Sequence, residues 1–291
     1  MTETIGTLLT DWIEIQIQAH SDIPILFVSG AQGIGKSTAL AEIERHFDGR
    51  LVILSLDDFY LTKAERRALA DRVHPLFEVR GPPGTHDIAF LRETIGTLRH
   101  ATSETKVEIP KFDKRIDDRI PKDHWTCFTG KPIAILVEGW CIGALPAPQD
   151  EPLSPLNTVE QSDPSGMWIR HQDTELAGPY AALWDIADAF FHLSAPSFDQ
   201  VFEWRVQQEA TTQGVAIDAL PQSKVDWVQT FILHYERITK RMLSSGRRSG
   251  YVLQVDANGA SGAKLALEGS GDAVAAAWAP AGDAVAIARS D

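Results

Sequence analysis

Three observations on the sequence predict an α/β fold in which a mostly parallel central sheet lies between two layers of helices. Residues 23–29, 51–56, 133–137 and 189–193 are short, nearly continuous apolar runs, the pattern of strands covered on both faces. Segments with helical periodicity separate them, and crossover connections of that kind bring the carboxyl ends of parallel strands to one edge, where ligands bind. The first run passes through a glycine-rich turn straight into a helical stretch at 36–47, a strand, loop and helix in succession.

The elements follow in order. Ile5, Leu8, Leu9, Trp12, Ile13 and Ile17 recur at three- and four-residue spacings, so 5–18 reads as an amphipathic helix against the sheet. The run 51–56 ends in Asp57 and Asp58, and 133–137 ends in Glu138 and Gly139. Residues 144–166 hold five prolines among serines and acids, a composition that predicts a surface excursion. Helices are expected at 168–183, 197–210 and 224–245, the last with Val225, Val228, Ile232, Tyr235 and Ile238 on one stripe, and a final strand at 251–255. The expected domain is therefore 1–256, with a lid region over 197–222. The Ala- and Gly-rich tail, 257–291, repeats Gly-Asp-Ala-Val-Ala from Gly271 and from Gly282, and is expected to be disordered or to form a hairpin.

Bulk properties narrow the function. The 291 residues are 44% hydrophobic and 23% charged, a globular composition, and no apolar run approaches the roughly 18 residues of a membrane span. No membrane partner is expected. Forty acidic against 27 basic side chains give a net charge of −13, which repels phosphate backbones, so nucleic acid is not expected either. Cys127 and Cys141 are the only cysteines, too few for a disulfide framework, and reduced thiols are expected. The first residues fit neither a secretory nor a transit signal, so a cytoplasmic location is expected.

Gly30-Ala-Gln-Gly33-Ile-Gly35-Lys36-Ser37 matches the Walker A pattern in full, with Thr38 after it, and it stands between a strand and a helix. Its glycines let backbone N–H groups turn toward phosphates, the helix N-terminus adds its dipole, Lys36 reaches the β- and γ-phosphates, and Ser37 offers a hydroxyl to Mg²⁺. The three-layer sheet is thus predicted to be a P-loop nucleotide-binding fold. No Asn-Lys-x-Asp guanine-reading motif occurs, which points to ATP. Glu138 closes its strand as a Walker B acid does, able to hold magnesium directly or through water. Asp57 ends the preceding apolar run and could accept the proton of an attacking hydroxyl. Side chains alternate along a strand, so either Asp57 or Asp58 could serve.

Taken together, GAQGIGKST, SLDDFYLT, RGPPGTHD, PKFDKR followed by DDR, and VEGWCIG resemble the D-glycerate 3-kinase family of plants, fungi and bacteria, with uridine kinase, pantothenate kinase and phosphoribulokinase as more distant relatives. The similarity runs from about 23 to 255. It implies an ATP- and Mg²⁺-dependent kinase with a helical lid, phosphorylating an alcohol group of a small, anionic metabolite, D-glycerate to 3-phosphoglycerate. By the same resemblance Asp57 is the proton-accepting aspartate, Tyr60 follows it in the shared motif, and Glu138 is the magnesium-associated acid. Arg80, His86 and Asp87 are implied on the acceptor side, together with Lys111, Lys114 and Arg119. Those last three lie in 106–122, which has six basic and four acidic residues in an otherwise acidic chain and suits an anion. Arg205 corresponds to a lid arginine over the phosphates. Two departures bear on the acceptor: Gln172-Asp173 stands where Val-Asn is expected, and the glycine-rich spacer is shortened to Ile116-Asp117. Another small acceptor (a nucleoside, pantothenate or a sugar acid) and a non-catalytic ATP-binding regulatory protein are the alternatives. A monomer or homodimer is expected.

Overall fold

The computed structural model describes residues 4–256 and 264–268. In chain order the helices are α1 Ile5–Ala19, α2 Lys36–Phe47, α3 Lys63–Arg72, α4 Ile88–Arg99, α5 Met167–Glu175, α6 Ala181–Trp184, α7 Phe198–Gln213, α8 Gln222–Leu233 and α9 Glu236–Leu243. The strands are β1 Ile25–Gly30, β2 Leu51–Ser55, β3 Lys106–Ile109, β4 Phe112–Asp113, β5 Asp118–Arg119, β6 Thr126–Thr129, β7 Ala134–Gly139, β8 Ala189–Ser194, β9 Gly250–Gln254 and β10 Lys264–Glu268.

The central sheet runs β10-β9-β8-β1-β7-β2. Its β9, β8, β1, β7 and β2 are parallel, and β10 pairs antiparallel with β9 at the edge. In register, Ser29 of β1 lies beside Gly139 of β7, and Ser55 of β2 beside Glu138. The sequence-derived sites therefore fall on one carboxyl edge, as parallel pairing demands. The α/β/α expectation holds. Apart from Lys264–Glu268, the tail 257–291 lies outside the described residues.

The alternation along β1 divides the core. Ile25 and Phe27 face one helical layer, made by Ile88, Leu91, Ile95 and Leu98 of α4, Leu183 and Trp184 of α6, and Ile238 and Met242 of α9. Leu26 and Val28 face the other, made by Leu8, Leu9, Trp12 and Ile13 of α1, Ala39 and Ile43 of α2, and Val201 and Trp204 of α7. Successive side chains of a strand point to opposite faces, so an apolar residue at every position is what a sheet covered twice requires.

Caps set where the helices begin. Thr4 Oγ1 accepts the N–H of Thr7, Thr62 and Glu65 form a reciprocal capping box on α3, and Asp87 accepts the N–H of Phe90 on α4. Two long helices expected from periodicity are interrupted. Leu176–Tyr180 forms a π-turn containing Pro179 between α5 and α6, where proline lacks the N–H of a regular α-turn. The stretch expected as 224–245 breaks at His234 and Tyr235, where the Tyr235 hydroxyl reaches the carbonyl of Arg80 at 2.9 Å.

Residues 144–166 are exposed at Pro152–Leu156 but are tied down on both sides. Glu160, 1% exposed, accepts from Arg237 Nε and Nη2 at 2.9 and 2.7 Å, and buried Asp163 accepts the N–H groups of Met167 and Trp168 at the start of α5. A proline-rich composition forbids regular structure here without forbidding anchorage. Buried acids need such partners, because an unpaired buried charge is costly.

Candidate active site

The glycine-rich turn joins β1 to α2 and uses backbone conformations closed to most residues. Gly33 and Gly35 have φ of 79° and 105°. A Cβ on Gly33 would meet Trp204 at 2.7 Å and its backbone at 2.8 Å, so α7 lies directly over the turn. Lys36 Nζ donates to the carbonyls of Gly30 at 2.5 Å and Ala31 at 3.2 Å. Burial depresses its ionisation, and the carboxylates of Glu138 and Asp57 oppose that effect. Below the turn, His192 Nε2–H donates to the Arg248 carbonyl at 2.8 Å, so Nδ1 is the nitrogen that accepts the Ser29 hydroxyl at 2.7 Å. That pair ties β8 to β1 beneath the glycine turn.

Glu138 reaches the same cleft from the end of β7. The Ser55 hydroxyl donates to its Oε1 at 2.5 Å. Burial pushes its carboxyl above the usual carboxylate range, disfavouring the charged form, with Lys36 pulling the other way and Asp57 adding to the rise. Lys36 and Glu138 thus each feel the charge of the other and of Asp57, which places the three charges close together.

The aspartate pair sits in a 3₁₀ turn, Leu56–Phe59, in place of the strand end expected. The turn separates the two side chains. Asp57 Oδ1 accepts the Tyr60 hydroxyl at 2.7 Å, and Oδ2 accepts Lys114 Nζ at 2.6 Å. Burial pushes the Asp57 carboxyl up, but Lys114 and the Tyr60 hydroxyl outweigh it and hold it at about 2. Asp58 turns to the β4–β5 hairpin, accepting Lys111 Nζ at 2.9 Å and the Phe112 N–H at 3.2 Å.

The predicted acceptor-side residues gather around Asp57 or the β4–β5 hairpin beside it, Lys111 on Asp58. His86 stacks on the Tyr60 ring at 4.6 Å, and burial depresses its ionisation to about 4, with Asp57 opposing. Arg119 Nη2 donates to the Tyr60 carbonyl at 2.8 Å and lies 3.6 Å from Asp87. Arg80 donates to Asp117 Oδ1 at 2.5 Å. Ser37 and Thr38 occupy the exposed first turn of α2.

Arg205 is placed elsewhere. It pairs with Glu209 at 3.2 Å and lies over the rings of Trp227 and Phe231. The residue that touches the glycine turn is its neighbour Trp204.

Sequence reasoning missed three participants. Ser55 was visible only through its register beside Glu138. Arg66, 1% exposed, donates to the carbonyl and Oδ2 of Asp117 at 2.6 and 2.9 Å, and nothing in the charged helix KAERRALADR singles it out. Buried Tyr180 contacts His86 from the π-turn.

Comparison with known proteins agrees with this geometry. No protein-family model matches the chain. A D-glycerate 3-kinase from Cryptococcus neoformans superposes with a TM-score of 0.72 at 22% identity, over 90% of this chain and 99% of that one, which establishes the fold. The chloroplastic D-glycerate 3-kinase of Arabidopsis thaliana is 28% identical over 257 residues, 81% of this chain and 54% of the plant protein. Mug58, an uncharacterized kinase of Schizosaccharomyces pombe, is 30% identical over 219 residues, covering 71% of this chain and 77% of the yeast one. The chain belongs to the D-glycerate 3-kinase family. As a member of that family it is an ATP-dependent kinase, a phosphotransferase acting on an alcohol group of a small molecule. Among the described residues no helix is long and apolar enough to cross a membrane.

The residues present also fit magnesium. Ser37 and Glu138 are oxygen donors of the kind a hard cation takes. Among the described residues no group of three His, Cys, Asp or Glu gathers for a metal.

Proposed function

We propose that this kinase transfers the γ-phosphoryl group of ATP to the primary hydroxyl of D-glycerate, giving 3-phosphoglycerate. The observation that carries the reading is the opening of Asp57 into the cleft of Lys36 and Glu138, with Lys114 on its carboxylate. Lys36 exchanges its two loop carbonyls for the β- and γ-phosphates, and the backbone N–H groups between Gly30 and Thr38 hold the rest of the triphosphate. Ser37 and Glu138 would hold the magnesium, which would supply positive charge to offset that of the phosphates.

A carboxylate held at about 2 is a weak base toward an alcohol. Asp57 therefore acts first by accepting the hydrogen bond of the attacking hydroxyl and aiming its oxygen at phosphorus. The proton crosses late, when bond formation has made that oxygen acidic. Lys114 leaves Asp57 as the hydroxyl arrives and turns to negative charge on the acceptor or the transferred group. Arg80 and Arg119 lie on the acceptor side with the neutral His86, and the two guanidinium groups suit a carboxylate. Arg205 reaches the phosphates only by leaving Glu209, through movement of the lid helix whose Trp204 lies on Gly33.

An ADP-release assay tests the reading with D-glycerate, nucleosides, pantothenate and sugar acids as acceptors. The expected result is the highest kcat/KM on D-glycerate, with 3-phosphoglycerate as product. Turnover of another acceptor in preference, or ATP binding without turnover on any, overturns it.

A further inference from the structure

Behind His86 on the acceptor side runs a buried hydrogen-bond chain whose other members the proposed transfer does not use. The backbone N–H of Gly84 donates to the Tyr180 hydroxyl at 3.1 Å, and that hydroxyl lies 2.5 Å from His86 Nδ1. An N–H can only donate, so the phenol oxygen is an acceptor toward Gly84 and its single proton is available for Nδ1. The opposite assignment, with Nδ1–H donating to the phenol, would leave the buried phenol proton without an acceptor. His86 Nδ1 is thus the bare nitrogen, and the proton of the neutral ring sits on Nε2. Burial favours the uncharged form of both rings, raising Tyr180 and depressing His86.

The Nε2 atom is fully buried and has no hydrogen-bond partner. A buried donor left unpaired is a costly feature that calls for an explanation. Its surroundings supply one. The His86 ring stacks on Tyr60, whose hydroxyl donates to Asp57, so the orphan N–H lies within the field of the carboxylate meant to receive the reacting hydroxyl. Tyr180 ends the π-turn Leu176–Tyr180, and such turns are frequent at functional sites because they re-aim one side chain within a helix.

We propose that Tyr180 is a positioning residue that locks His86 in its Nε2–H tautomer, and that this N–H binds a second oxygen of the acceptor, beside the hydroxyl presented to Asp57. The proposal rests on the small-acceptor kinase reading but not on the acceptor being glycerate. It makes the site selective for a molecule with an acceptor oxygen next to the reacting alcohol, since an analogue lacking that oxygen would leave the donor unpaired.

The test has two arms. In protein labelled with ¹⁵N-histidine, the His86 signals, assigned by their loss in His86→Gln, report the tautomer without any acceptor present. The expected wild-type state is Nε2–H, passing to a mixture in Tyr180→Phe. The second arm uses whichever acceptor the ADP-release panel identifies. Tyr180→Phe should raise the acceptor KM about tenfold and leave the ATP KM within about twofold. His86→Gln, whose amide carries N–H at the Nε2 end, should retain more acceptor affinity than His86→Ala, and adding Tyr180→Phe to it should change little further. An unchanged tautomer in Tyr180→Phe, equal rises in both KM values, or a full Tyr180→Phe effect in the His86→Gln background overturns the proposal. Failure of D-glycerate in the panel while another acceptor shows this pattern overturns the glycerate reading alone.

Discussion

Asp57 carries the heaviest chemical assignment of any single residue. Asp57→Asn keeps the shape and the Tyr60 hydrogen bond but removes the charge, so it should lower kcat by about 10²- to 10⁴-fold, the range for a positioned base. ATP affinity, measured by titration calorimetry, should stay within a fewfold of wild type, because the cradle is untouched. A variant with wild-type turnover would remove Asp57 from the mechanism. The choice of Asp57 over Asp58 was open on alternation alone. The 3₁₀ turn sends Asp58 to Lys111 and the Phe112 N–H, which favours Asp57 as the proposed base. The partners of these residues were hidden for a common reason. Ser55 on Glu138, Arg66 on Asp117 and Tyr180 on His86 are pairings between distant segments, and no local pattern of charge or periodicity encodes them.

Two elements carry predictions of their own. The lid helix α7 packs so closely on the glycine turn that Gly33→Ala must displace it, besides placing a methyl group at φ 79°. Gly49→Ala is the control, since φ there is 69° but nothing lies within 4 Å of the added carbon. Both should lose about 1–2 kcal/mol to backbone strain, whereas Gly33→Ala alone should weaken ATP binding, by about tenfold for each 1.4 kcal/mol of lost fit. Equal ATP affinities in the two variants would count against a lid seated on the turn. The segment before α5 is the second case. Glu160→Ala leaves Arg237 without its most buried partner, although Glu151 remains at 3.1 Å, so urea unfolding should show a loss of about 3 kcal/mol. A loss below about 1 kcal/mol would mean that solvent reaches Arg237. The five parallel strands of the sheet were legible to within a residue or two because unbroken apolar runs leave little choice of conformation, whereas β10 lies in the tail expected to be disordered or a hairpin. The helix α4 was not among those expected, although Ile88, Leu91, Ile95 and Leu98 form a regular buried stripe along it. In contrast α3 buries little beyond Arg66, Leu69 and Ala70, so its periodicity is faint, and the π-turn hides inside a sequence that otherwise reads as one helix.

At the scale of the molecule, buried histidines couple the fold to pH. Burial holds both His86 and His192 at about 4, with Arg247 adding to the depression at His192, against about 6.5 in an unfolded chain. Between those values the unfolded chain binds protons that the folded chain refuses. Stability is therefore fully present above pH 6.5 and declines as pH falls toward 4. His192→Asn removes one of the two groups, so the urea midpoint should fall less steeply from pH 7 to 4.5 than in wild type. Parallel curves would show that His192 is not buried neutral. The same parallel sheet that sets these burial terms brings β1, β2 and β7 to one edge, and with them Lys36, Asp57 and Glu138. The most direct measurement of that convergence is a crystal structure with a non-hydrolysable ATP analogue, Mg²⁺ and the acceptor bound. The account predicts the triphosphate on Lys36, and the acceptor hydroxyl between the γ-phosphate and an Asp57 released from Lys114. An acceptor bound away from Asp57, or Asp57 still paired with Lys114 while the acceptor is in place, would contradict it.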